Sequence, residues 1–207
     1  MSTVCAVPKA LDAALPVVVD GGLRTRRSER KQQLDVARAF ERATVPPKAS
    51  EWGRFGRSYV VPPARVSCPD CIWIGDGVVV HEHVWLSVVR AFDDIVPRLV
   101  LEDRVRIGRC CQLSVAGEVV IERDVLIGDF VQIGDTSHPY EPKLRLPAVG
   151  RPIPVHIGAR AVIASHVVVL PGVSVGAGAI VDHHAVVTSD VRPGAIVSGN
   201  PAREVTG

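Results

Sequence analysis

Stepping by six from Ile157 lands on Ile163, Val169, Val175, Val181 and Val187, all aliphatic and β-branched. The fourth residue after each of the six is Ala161, Val167, Val173, Ala179, Ala185 and Val191, all small or β-branched. The same phase runs through Leu101, Ile107 and Leu113, slips by two residues around Gly117 to Val120, and resumes at Ile121, Ile127 and Ile133. A shorter series holds Ile74, Val80 and Leu86. A period of six fits neither an amphipathic helix nor a hairpin sheet. It fits a flat strand followed by a corner, with the aliphatic residue turned inward. Three such sides close one triangular coil of about eighteen residues, built as a repeat unit that cannot bury its inner face alone. Ile157 then stacks under Val175, and Val175 under Pro193. Adjacent coils pair through parallel strands about 4.8 Å apart. The pattern therefore predicts an all-β fold, a parallel β-helix over residues 61–207. It leaves the hand open, since ordinary parallel crossovers are right-handed.

Two stretches break the repeat. Arg90 to Arg98 form a short excursion, and a longer one at about 139–154 is rich in proline and charge. Loops thrown out of a rigid scaffold are where function concentrates. Residues 1–60 show no hexad and read as an N-terminal extension, partly helical or disordered. Ser28 to Ala43 could form a helix with Ser28 as N-cap, ended by Pro46-Pro47. Trp52 to Val61 leads into the first coil and serves as its cap.

Composition narrows the class. Aromatic residues are scarce, so the core is made of many thin aliphatic layers. Lys and Arg total 24 against 22 Asp and Glu, a net charge of +2, which by itself implies no nucleic-acid or membrane partner. The basic run Arg24 to Lys31 reads as a solvated helix start or linker. No segment has the pattern of a signal peptide, and none is apolar over the length a membrane span needs. A cytoplasmic protein with reduced thiols is expected. Of five cysteines, Cys68 and Cys71 have C-x-x-C spacing, but no second ligand pair exists for zinc and strand-like sequence follows, so two ordinary thiols are expected. If they lie in a strand, Cys110 and Cys111 point to opposite faces, which makes them poor partners for each other. His81, His83, His183 and His184 do not make a metal-ligand set, and no metal is expected.

The stretches Val155 to Val181, Val187-Thr-Ser-Asp-Val191 and Ser198-Gly-Asn-Pro-Ala-Arg-Glu-Val205, with their Leu-Pro-Gly-Val and Gly-Asn-Pro-Ala-Arg elements, resemble the C-terminal half of the hexapeptide-repeat O-acetyltransferases. That family includes the maltose, galactoside and nodulation-factor enzymes and relatives that acetylate surface-polysaccharide sugars. The resemblance covers about two thirds of the chain. It implies a left-handed β-helix, acetyl-CoA as acyl donor, and a homotrimer with active sites at subunit interfaces.

The resemblance also implies site residues. The family's catalytic His ends a coil just before a loop, and Ile133-Gly-Asp-Thr-Ser-His138-Pro-Tyr-Glu141 stands in that place. An imidazole can take the proton from a sugar hydroxyl as that oxygen attacks the thioester carbonyl. Asp135, Glu141 and, more distantly, Asp93 are candidates to orient the ring. The oxyanion donor maps to Ala164-Ser165. Ser165, Thr188, Ser189, Arg192 and Arg203 fall in the region that holds coenzyme A. Two positions depart from the family: Ser189 where many relatives carry Lys or Arg, with Arg192 as a substitute charge, and Val162 where many carry Trp. The expected activity is transfer of acetyl to a hydroxyl of a sugar or glycoconjugate. The alternatives are an antibiotic or other natural product as acceptor, or a non-catalytic β-helix scaffold.

Overall fold

The computed structural model describes residues 47–137, 140–141, 146–147 and 150–205; the helix expected at Ser28 to Ala43 lies outside them. The strands are two to four residues long; apart from the antiparallel pair Tyr140–Glu141 and Leu146–Pro147 in the longer excursion, they fall on three sheets of parallel strands, the faces of a triangular prism. The first sheet takes Arg54–Phe55, Ile72–Ile74, Arg98–Leu101, Glu118–Ile121, Val155–Ile157 and Ser174–Val175 in stacking order. The second takes Tyr59–Val60, Val79–Val80, Arg106–Ile107, Leu126–Ile127, Val162–Ile163, Ile180–Val181 and Ile196–Ser198, closed by Arg203–Glu204 running antiparallel. The third takes Arg65–Ser67, Trp85–Val88, Gln112–Val115, Gln132–Gly134, Val168–Val169 and Val186–Val187.

The hexad positions are the core. Ile157, Ile163, Val175 and Val181 are fully buried, and so are Ala161, Val167, Ala179 and Ala185 at the second inward position. Burial of one such aliphatic side chain contributes about 1.5–3 kcal/mol. β-branched residues suit the pleated wall, and the small residues let three walls meet at an acute corner.

Ile157 pairs with Val175, Ile163 with Val181 and Val169 with Val187, as the eighteen-residue coil requires. One expectation is corrected: Val175 bridges to Val191, not to Pro193. The corner after Val187 is two residues shorter, fastened by Asp190 Oδ1 accepting the Ser174 N–H at 2.8 Å and by Val191 N–H donating to Ser174 O at 2.9 Å. Proline has no N–H to give to a ladder, and Pro193 instead packs over Gly176, where a Cβ would lie 2.3 Å from the Pro193 nitrogen.

The lower coils carry two more residues, so that Leu113 pairs with Ile133 and Val66 with Leu86. The extra pair sits at the corner between the third and first sheets. This is the slip at Gly117. Both excursions leave from that same corner. The coils begin at Arg54, whose strand pairs with Trp73 and Ile74, ahead of the boundary expected at 61. Phe55 and Val60 are five apart and only half-buried, which hid the first coil from the hexad count. Trp52 closes its end, tilted on Phe55 at 5.2 Å and donating Nε1–H to Pro47 O at 3.3 Å. Among the described residues no helix is long and apolar enough to cross a membrane.

Candidate functional site

The corner between the second and third sheets repeats one conformation. His83, Cys110, Phe130, His166 and His184 all hold φ between 56° and 63°, a left-handed setting that non-glycine residues adopt at a cost. Coil stacking puts these residues in one column. Phe130 stacks on His166 with ring centroids 4.9 Å apart and nearly parallel planes, and His166 stacks on His184 at 4.7 Å. The coil spacing is close to the separation that stacked rings favour.

A groove of about 440 Å³ runs from this corner over the outer face of the second sheet; Arg106, Leu126, Val162, Ala164, Ser165 and His183 line it. Its rim is built by backbone. Ser165 Oγ accepts the Asp129 N–H at 3.1 Å, and Ser165 O accepts the His184 N–H at 3.1 Å. A Cβ on Gly128 would lie 2.7 Å from both Ser165 N and Oγ, so only glycine lets the two coils meet there. The Ala164 N–H donates to Val181 O at 2.8 Å and is committed to the ladder. Of the expected oxyanion pair, this leaves the Ser165 N–H, which faces no acceptor among the described residues.

The corner between the third and first sheets lies across the prism from this groove, and the Asp135 to Ser137 segment leaves the third sheet there. His138 and the Glu141 side chain lie outside the described residues, but the root of their loop is defined. Asp135 is fully buried. Its Oδ1 accepts the Ala116 N–H at 2.9 Å and its Oδ2 the Gly117 N–H at 2.7 Å. Burial pushes this carboxyl above its ordinary pKa, while the amide donors pull it back down. The Asp135 main-chain oxygen accepts the Ile153 N–H at 2.7 Å, and Ser137 O accepts the Gly150 N–H at 2.9 Å, so the two ends of the excursion meet. Pro152 fills the slot above Gly117, where a Cβ would lie 2.7 Å from the proline Cβ. Asp135 thus bolts the loop to the previous coil through backbone amides. Asp93 is exposed on the other excursion. Its neighbour Asp94 is the carboxylate that ties the two excursions together, meeting Arg151 Nη2 at 2.6 Å. The Arg151 guanidinium also lies 5.4 Å from the Phe92 ring centroid.

No family model matches the chain. Nodulation protein L of Rhizobium meliloti is 49% identical over 94 residues, which cover 45% of this chain and 51% of that protein. Galactoside O-acetyltransferase of Escherichia coli is 34% identical over 87 residues, covering 42% of this chain and 43% of that protein. The chain thus spans about half the length of the curated relatives it matches. In fold, a hexapeptide-repeat acetyltransferase of Vibrio cholerae, complexed with acetyl coenzyme A, matches 90% of this chain and 91% of its own at 22% identity, with a TM-score of 0.53. The repeat segment resembles these proteins in sequence and shares the fold of the hexapeptide-repeat acetyltransferase structure. Its β-helix is left-handed, as in that fold.

Relative to the groove, the other hexapeptide-repeat positions are dispersed. Thr188 and Ser189 are exposed on the last corner between the third and first sheets. Arg203 sits on the closing strand, its Nη1 donating to Ala202 O at 2.8 Å. Arg192, expected as the substitute charge, places Nη2 2.6 Å from both Glu204 carboxylate oxygens, so its charge is already met. Among the described residues no group of three or more His, Cys, Asp or Glu side chains is arranged to hold a metal. Cys110 is exposed and Cys111 buried; they sit on a corner, with Cys110 at φ 56°, and not in the strand the sequence suggested. The ring column at Phe130, His166 and His184 and the cation at Arg106 were missed in the sequence. The eighteen-residue step from His166 to His184 is the signal that locates the column.

Proposed function

We propose that this protein is an acetyl-CoA-dependent O-acetyltransferase that moves an acetyl group to a hydroxyl of a sugar or glycoconjugate. It works as a homotrimer with its sites between subunits and with His138 as general base. The carrying observation is the opposition of two half-sites. The groove at Ser165 lies on one face of the prism, and the Asp135 to Ser137 stem, directly before His138 in the sequence, stands at the opposite corner. A neighbouring copy brings the two together. The outer column of the second sheet supports the same contact, with Leu126 at 46%, Ile180 at 40% and Ile196 at 47% exposed in one line. Isologous or cyclic assemblies cover such apolar faces.

In this reading the acyl donor lies along the groove toward the C-terminal coils, with its thioester at Ser165. The His138 imidazole accepts the hydroxyl proton as the acceptor oxygen forms its bond to the thioester carbonyl carbon. The resulting oxyanion takes a hydrogen bond from the Ser165 N–H. Collapse breaks the C–S bond, and the imidazolium returns its proton to the leaving thiolate. No acyl-enzyme is needed, because the donor arrives activated. The test is thiol release from acetyl-CoA against a panel of sugars, nucleotide sugars and glycosylated natural products. His138→Ala should lower turnover by about 10²- to 10⁴-fold with thermal stability nearly unchanged. Undiminished turnover in that variant would refute the role of His138. Failure of the wild type to bind coenzyme A would favour the scaffold reading.

A further inference from the structure

The outer face of the second sheet carries one column of side chains from coil to coil: Tyr59, Val79, Arg106, Leu126, Val162, Ile180 and Ile196. Six of the seven are aromatic or aliphatic. Arg106 is the one charge, and it lines the same groove as Ser165. Among the described residues it has no carboxylate within ion-pair distance. Of the neighbouring charged groups, Arg109 is paired with Glu82, and the Asp129 carboxylate lines the groove without forming an ion pair with Arg106. Arg109 Nε meets Glu82 Oε1 at 2.6 Å, and Asp129 Oδ1 accepts the Arg109 main-chain N–H at 2.7 Å. Arg106 is therefore an uncompensated guanidinium standing in an apolar line.

Its height on the prism assigns its use. In the functional reading above, on which this inference rests, the thioester lies at Ser165 and the donor extends toward Arg203, at the C-terminal end of the second sheet. Arg106 lies on the opposite side of Ser165, two coils nearer the N-terminus than Val162. That end of the groove is left to the acceptor. When a neighbouring copy closes the groove, a guanidinium there loses water and needs an anion in its place. We infer that the acceptor carries an oxyanion, a phosphate or a carboxylate, that Arg106 binds while the acceptor's hydroxyl is presented at Ser165. A guanidinium suits both groups because its planar donors match two oxygens at once.

The experiment compares four acceptor probes: glucose, glucose 6-phosphate, glucuronate and UDP-glucose. Each is titrated calorimetrically into the coenzyme A complex of the wild type, Arg106→Gln and Arg106→Lys, and each is assayed for acetyl-CoA turnover. In the wild type at least one anionic probe should bind about tenfold or more tightly than glucose, the size of one charge-assisted contact. The strongest of the three anionic arms identifies the oxyanion as monophosphate, carboxylate or diphosphate. In Arg106→Gln the anionic-to-neutral ratio should fall about tenfold, through KM, and Arg106→Lys should restore part of it. A ratio unchanged by Arg106→Gln overturns the inference, and so does the absence of binding by every anionic probe. Dissociation of the trimer in Arg106→Gln, read by sedimentation, also overturns it, because Arg106 would then be pairing with a neighbouring chain. Failure of the parent reading shows separately, as no coenzyme A binding or as thiol release that ignores His138.

Discussion

Replacing Asp135 with Ala tests how the His138 loop is held. The carboxylate is fully buried and, among the described residues, is the only side-chain acceptor for two main-chain donors, Ala116 N–H at 2.9 Å and Gly117 N–H at 2.7 Å. Each buried N–H left without an acceptor costs about 1–3 kcal/mol, so two cost about 2–6 kcal/mol. Removing a carboxyl whose burial is itself unfavourable offsets part of this, leaving a net loss of about 2–4 kcal/mol. For a chain of this size that is a fall in Tm of about 5–15 °C. Asp135→Asn keeps one acceptor oxygen and should lose about half as much. Urea unfolding gives the free energy, with an unchanged m-value showing that the unfolded state is the same. Hydrogen exchange should show faster opening at Ala116 and Gly117 in the Ala variant. An Asp135→Ala variant within about 0.5 kcal/mol of the wild type, with those two amides still protected, would show that Asp135 does not hold the loop root.

Gly128→Ala would force a methyl to 2.7 Å from Ser165 N and Oγ; it should cut turnover more than it cuts coenzyme A affinity, and equal kinetics in the variant would contradict the Ser165 assignment. Burial pushes the Cys111 thiol up to about 11, which keeps it protonated at mildly alkaline pH. A thiol reagent should therefore modify exposed Cys110 rapidly and Cys111 only after unfolding, as peptide mapping would show. Ile180→Glu places a charge in the middle of the apolar column on the second sheet; sedimentation should show the proposed trimer dissociating, and a trimer that stays intact would move the contact to another face.

The repeat was legible because the same physical demand recurs on every wall: one inward aliphatic per side and one small residue per corner. Ile157 to Val187 state that demand six times without interruption, and the structure places each of them inside. Corner length was not legible. The two extra residues before Ile121 and the two missing after Val187 leave the inward residues chemically alike, and only the ladder partner, Val191 in place of Pro193, reveals the change. The first coil was hidden for the related reason that Phe55 is half-buried and off the hexad step. Side-chain partners distant in sequence were also out of reach. Asp135 looked like a ring-orienting carboxylate because it stands three residues before His138, yet its oxygens go to amides in the preceding coil. Arg192 looked free to supply the substitute charge, but Glu204, on the closing strand, pairs with it. The Phe130, His166 and His184 stack needs the coil repeat to be known first, since its members are far apart in the chain.

The central claim is that each site is shared, His138 from one copy and the Ser165 groove from the next. The most direct measurement is subunit complementation. His138→Ala and Ser165→Trp, the second filling the groove, are each assayed alone for acetyl-CoA turnover and then after being unfolded, mixed in equal amounts and refolded. Random trimers of the two place an intact His138 against an intact groove at about one interface in four, so the mixture should regain about a quarter of wild-type turnover while each variant alone stays inactive. A mixture that remains inactive, with trimers re-formed, would mean that His138 and the groove act within one chain and would contradict the account.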